Sequence, residues 1–140
     1  MGPLRLMLTA DDGHVLSLEC RGSLSQLVLE DPAIMERLLG PGGYSRRVIL
    51  DLEQAEDIDS SGVSWLVVLF KRFREAGGRL VLHSIPPRVD HVLRLLHIDS
   101  VVPTARDARA ARDLAGHEPG ASPGAGAEGF GATPGAGGRP

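Results

Sequence analysis

The chain has 140 residues, 42% hydrophobic and 24% charged, with a formal net charge of -3 at pH 7 and a single cysteine. Such a weakly acidic chain has no electrostatic footprint for nucleic acid or an anionic membrane surface. Cys20 has no partner for an internal disulfide, and no apolar run approaches the roughly 18 residues of a spanning helix. A soluble cytoplasmic protein that binds neither nucleic acid nor membrane is the expectation.

From residue 115 to residue 140 nearly every position is Gly, Ala or Pro, and Phe130 is the only large apolar residue. Nothing there can offset the entropy of ordering, so 115–140 reads as a disordered tail. Residues 1–114 read as one domain, large enough to bury a core without disulfides or metals.

In chain order, Leu4 to Thr9 and His14 to Cys20 are apolar-rich runs separated by Ala10-Asp11-Asp12-Gly13, which predicts an antiparallel hairpin closed by Gly22. Cys20 is expected to be a small buried apolar residue. The segment Ser23 to Glu30 has no clear periodicity. Asp31 as N-cap, Pro32 at the first helical position and Gly40 beyond the end mark a short helix. A Pro-Gly-Gly loop leads to a strand over Arg47–Leu52, whose branched apolar run suits burial on both faces.

Acidic residues then form a polar turn up to Asp59-Ser60-Ser61-Gly62, and a helix follows over Ser61–Ala76, stopping at Gly77-Gly78. At 100° per residue Val63, Leu66, Val67, Phe70 and Phe73 share one stripe, with Trp65 and Leu69 beside it and Val68 opposite. The arc is wider than one packed face needs. Packing on a neighbouring helix and a partner or homodimer patch are the two readings. Arg79–His83 is a strand parallel to Arg47–Leu52, Pro86-Pro87 opens a helix that ends near His97, and a strand over Ser100–Val102 precedes a last helix, Thr104–Leu114. The order β-β-α-β-α-β-α-β-α predicts a single α/β domain with a mixed, mostly parallel sheet packed against helices.

The chemistry concentrates at Asp59-Ser60-Ser61-Gly62. One reading is a helix cap and nothing more. A nucleophilic serine would need a histidine base, and a glycine two residues before it to form a sharp elbow, where Ile58 stands instead; neither His83 nor His91 is placed as a base by spacing. His83, His91 and His97 lie in different elements without a cysteine pair, so no zinc site is expected. No glycine-rich phosphate loop follows a strand. The remaining reading is a phosphoryl switch: a phosphate on a hydroxyl at a helix N-terminus adds about -1.5 to -2 charges where the helix end favours them.

These residues carry a resemblance. Val48-Ile49-Leu50-Asp51-Leu52, then Ile58-Asp59-Ser60-Ser61-Gly62, an apolar helix with Lys71-Arg72, Gly77-Gly78-Arg79-Leu80-Val81-Leu82, Pro86 and Val92-Leu93-Arg94-Leu95 resemble the STAS family of anti-sigma factor antagonists over about residues 4–112. The resemblance implies partner switching rather than catalysis, with no cofactor. The unphosphorylated domain would bind an anti-sigma factor that is also a serine/threonine kinase. The kinase, using its own ATP, would phosphorylate Ser60 (Ser61 being the secondary acceptor) and release the domain, and a serine phosphatase would reset it.

By the same resemblance Asp59 would cap the helix, Gly62 would let the kinase approach closely, and Ser25 would replace an acidic residue common in kinase substrates of the family. His97 stands where the family often has Gly. The second reading is a STAS-like scaffold that self-associates or docks in a larger signalling assembly without a phosphoryl cycle, with Trp65 and Leu69 in its surface.

Overall fold

The computed structural model describes residues 4–26 and 33–116. The helix-start signals Asp31 and Pro32, and the stretch 117–140, lie outside the described residues. The elements are β1 (Arg5–Asp11), β2 (Val15–Leu24), α1 (Ile34–Leu39), β3 (Arg47–Ile58), α2 (Ser60–Glu75), β4 (Arg79–His83), α3 (Pro87–Leu95), β5 (Thr104–Ala105) and α4 (Ala108–Gly116). One five-stranded sheet runs in the order β1-β2-β3-β4-β5. β1 is antiparallel to β2, and every later pairing is parallel. The mixed, mostly parallel sheet expected from the element order is therefore present.

Alternation along the central strands divides the core into two unequal layers. Leu16, Leu18 and Cys20 of β2, Val48, Leu50 and Leu52 of β3, and Leu80 and Leu82 of β4 join Met35, Leu39, Leu66, Phe73, Val89 and Leu93 of α1, α2 and α3. On the opposite face Val15, Ile49 and Val81 cluster with Ala111 and Ala115 of α4, with Ala105 packed against them. Cys20 is wholly buried, and burial pushes its thiol up to about 12, helped by the Asp51 and Glu19 carboxylates. It is a core residue.

Several expected boundaries move. β3 does not give way to a polar turn after Leu52; it continues to Ile58 because β2 accompanies it, with Gly22 opposite Ala55 and Leu24 opposite Ile58. Glu53, Gln54 and Glu56 are exposed along this extension. Gly22 does not close β2 but lies inside it at a break of register, with φ 103°. A bulge takes such a conformation most readily at glycine.

No strand forms over Ser100–Val102. Ile98–Ser100 is a 3-10 turn, and the N–H groups of Val101 and Val102 both donate to the carbonyl of Ile98. Val102 is fully buried, which explains its strand-like apolar signature. The strand comes later, at Thr104–Ala105, and α4 starts after Asp107, whose Oδ1 accepts from the Ala110 N–H at 2.8 Å as an N-cap. Ala115 and Gly116, assigned by composition to the tail, form the end of α4, with Ala115 fully buried.

His97 takes φ 58°, the left-handed conformation that ends α3, despite its Cβ. The same turn with glycine would avoid about 1 kcal/mol of backbone cost.

Candidate phosphoacceptor and docking site

β3 delivers Asp59 in extended conformation to the start of α2. One oxygen of its carboxylate accepts from the Ser61 N–H at 2.9 Å, the Gly62 N–H at 3.4 Å and the Ser61 hydroxyl at 2.7 Å. The other accepts from the Gln26 N–H at 2.9 Å, just beyond the end of β2. A single side chain thus caps the helix and ties the two strand ends to it. The Ser61 hydroxyl first, then the Gln26 N–H, hold the Asp59 carboxyl below its ordinary value.

Ser60 is the first helical residue and is exposed. The Ser61 hydroxyl is committed to Asp59, whereas that of Ser60 makes no hydrogen bond among the described residues. The two serines, alike in sequence, therefore differ in availability.

Gly62 is buried, and a Cβ there would stand 2.2 Å from the Leu24 carbonyl oxygen and 2.9 Å from Ile58 Cγ1. Its missing side chain serves the approach of α2 to β2 inside the fold. Ser25 is half-buried, and its N–H donates to Ser23 Oγ at 3.0 Å. The Ser23 hydroxyl in turn donates to Asp57 Oδ1 at 2.6 Å. A carboxylate thus does stand beside the end of β2, supplied by β3.

The α2 stripe is rotated from the expected one. Val63, Leu66, Leu69 and Phe73 are buried, while Val67 and Phe70 are half-buried. Leu69 is 4% exposed and Trp65 is half-buried against the core. Leu69 is thereby corrected from surface to core, since it joins the cluster that α1, α2 and α3 share with the sheet. The outward line from the site runs through Ser61, Ser64, Val68 and Lys71, and Val68 is 47% exposed.

Sequence reading missed Ser23, Gln26 and Asp57. Their bonds join positions more than thirty residues apart, so no local pattern announces them. Asp57 alone had a signal, lying two residues before Asp59 in what proves to be a strand. Among the described residues no three metal-ligating side chains gather, and no helix is long and apolar enough to cross a membrane.

A family model described as the STAS domain matches residues 12–111. A Bordetella bronchiseptica protein named as a candidate anti-sigma factor antagonist, BtrV, is 35% identical over 66 residues, which are 47% of this chain and 57% of that protein. The chain thus spans little more than half of that curated relative. Among solved structures, an anti-sigma factor antagonist (STAS) domain protein from Planctomyces limnophilus matches with TM-score 0.59 and 25% identity, over 83% of this chain and all of the other. A candidate anti-sigma factor antagonist from Thermotoga maritima matches with TM-score 0.62 and 21% identity, over 81% of this chain and 95% of the other. At that identity the Thermotoga match supports the fold alone.

Proposed function

The chain belongs to the STAS domain family, and we propose that it acts as a non-enzymatic partner-switching regulator, an anti-sigma factor antagonist governed by phosphorylation of Ser60. In this reading the unmodified surface around Ser60, Ser61, Ser64 and Val68 docks an anti-sigma factor serine/threonine kinase. Phosphorylation of Ser60 separates the two, and a serine phosphatase restores the docking state.

The observation that carries the reading is the exposed, uncommitted Ser60 hydroxyl at a helix start whose N–H groups Asp59 already occupies. A phosphate there cannot displace Asp59 without uncapping α2, so it projects outward beside a like charge. The fold stays intact while the surface gains about two negative charges. Desolvating that dianion in a formed interface costs several kcal/mol, and each 1.4 kcal/mol is tenfold in affinity. The burial of Leu69 and half-burial of Trp65 reduce the apolar face on which a self-associating scaffold would draw.

The test uses a serine kinase that binds the unmodified chain. Phosphate should map to Ser60, Ser60→Ala should abolish incorporation, and Ser60→Asp should weaken binding about 100-fold with unchanged unfolding. Binding by Ser60→Asp and by stoichiometrically phosphorylated protein as tight as that of the unmodified chain would sink the switch.

A further inference from the structure

At the end of α2 opposite Ser60, the edge of β4 is only partly paired. The Leu82 N–H donates to the Pro103 carbonyl at 3.0 Å, toward β5, whereas the Arg79 N–H donates to the Arg46 carbonyl beside β3. Backbone groups alternate along a strand, so the N–H and C=O of Leu80 point the same way as those of Leu82. β5 pairs only with Leu82 and His83, Pro103 has no N–H to give, and Val101 and Val102 turn back on the Ile98 carbonyl. Leu80 is 1% exposed, and neither its N–H nor its C=O has a hydrogen-bond partner among the described residues. Buried backbone groups are nearly always paired, so this donor and acceptor form an attachment point for a molecule from outside the fold.

Leu80 borders a groove of about 480 Å³, lined also by Phe70 and Arg74 of α2, Gly78 and Pro103. Small-molecule sites span about 300–1,000 Å³ and combine apolar walls with a few polar groups. Phe70 and Pro103 supply the walls. Arg79 lies at the groove too, but its guanidinium donates to the Leu114 carbonyl at 2.9 Å. Arg74 is exposed and has no ion pair among the described residues, so the open positive charge is its own. An added strand does not suit this edge. The Gly78 N–H is taken by the Phe73 carbonyl and Pro103 closes the other side, which leaves a single residue able both to donate and to accept.

We infer that this groove binds a small planar carboxylic acid with a lactam edge. A lactam carries its C=O and N–H side by side, so it accepts from the Leu80 N–H and donates to the Leu80 C=O together. Its ring meets Phe70 and Pro103, and its carboxylate pairs with Arg74. The matching of donor to acceptor selects the lactam, and the charge of Arg74 selects the acid.

The test is an amide NMR titration of the full chain with three probes: carbostyril-4-carboxylate, which has ring, lactam and carboxylate; carbostyril, which lacks the carboxylate; and naphthoate, which lacks the lactam. The complete probe is expected to saturate with a Kd below about 1 mM, to shift the amides of Phe70, Gly78 and Leu80, and to slow hydrogen exchange at Leu80. Each incomplete probe should bind about tenfold more weakly. Arg74→Gln, at an exposed position, should weaken the complete probe about tenfold and leave carbostyril binding unchanged. Equal affinity for all three probes, or shifts that spare Leu80, would reduce the groove to an unselective apolar cleft and overturn the proposal. The absence of saturable binding by any probe at millimolar concentration would do the same. So would groove shifts on concentrating the protein alone, which would assign the edge to a second copy. Ser60 stands at the other end of α2, so kinase-binding results and probe titrations succeed or fail separately.

Discussion

At each end of α2 a glycine brings backbone against backbone. A Cβ on Gly62 would lie 2.2 Å from the Leu24 carbonyl oxygen, and one on Gly78 would lie 2.1 Å from that of Tyr44. Beyond this shared device the ends are finished differently. The C-terminal end closes on backbone alone: Gly77, at φ 84°, donates to Arg74 and Gly78 donates to Phe73, the paired bonds of a Schellman motif. The N-terminal end closes on the Asp59 carboxylate and leaves a hydroxyl facing solvent. The first closure involves no titratable group; the second rests on a carboxylate and, in the proposed switch, presents the phosphoacceptor.

The sharpest way to break this comparison is to add one methyl at each end. Gly62→Ala and Gly78→Ala should each cost about 3 kcal/mol or more in denaturant unfolding, since the clashing atoms are backbone. An unchanged midpoint for either would mean that the close approach is not required. Leu66→Ala, at a position with no exposed surface, should lose about 3 kcal/mol and leave both ends locally intact.

Smaller effects separate the two finishes. Ser23→Ala, which removes the bond to Asp57, should cost about 1 kcal/mol and loosen amides near Gln26 in hydrogen exchange while those at Gly77 and Gly78 stay unchanged. Ser60→Ala should alter stability by less than about 0.5 kcal/mol, because its hydroxyl is exposed and unpaired among the described residues.

The acid limb distinguishes the ends without mutation of the core. Asp59, held low chiefly by the Ser61 hydroxyl, contributes stability that is complete above its ordinary value of 3.8 and disappears as pH falls through the lower folded value. Asp12 behaves likewise. The Val15 and His14 N–H groups, then Arg112 of α4, lower it to about 2. Asp59→Asn should therefore reduce stability at neutral pH and converge with the unsubstituted chain in strong acid. A constant difference at every pH would remove the carboxylate from the account.

Local pattern was sufficient wherever the governing interaction is short in sequence. Asp59 capping α2, Gly77-Gly78 ending it and the Asp11-Asp12-Gly13 turn of the hairpin depend on neighbours within a few residues, and the parallel β3-α2-β4 unit follows from the order of its elements. The same holds for the placement of Ser60 at a helix start, since Asp-Ser-Ser-Gly before an apolar helix has few other uses.

Tertiary structure decided the rest. β3 runs twelve residues because β2 lies beside it to the end, and no propensity in Glu53 to Asp57 foretells a partner strand. Leu69 is core because neighbouring packing covers its side of α2, whereas Val68, one residue earlier, is 47% exposed. The identical serines acquire different fates only when the Asp59 carboxylate chooses one of them. Sequence set the apolar periods and the caps, both local consequences of covalent geometry. Which strand extends, which leucine is covered and which hydroxyl is left exposed follow from contacts between residues distant in the chain, and these exist only once it has folded.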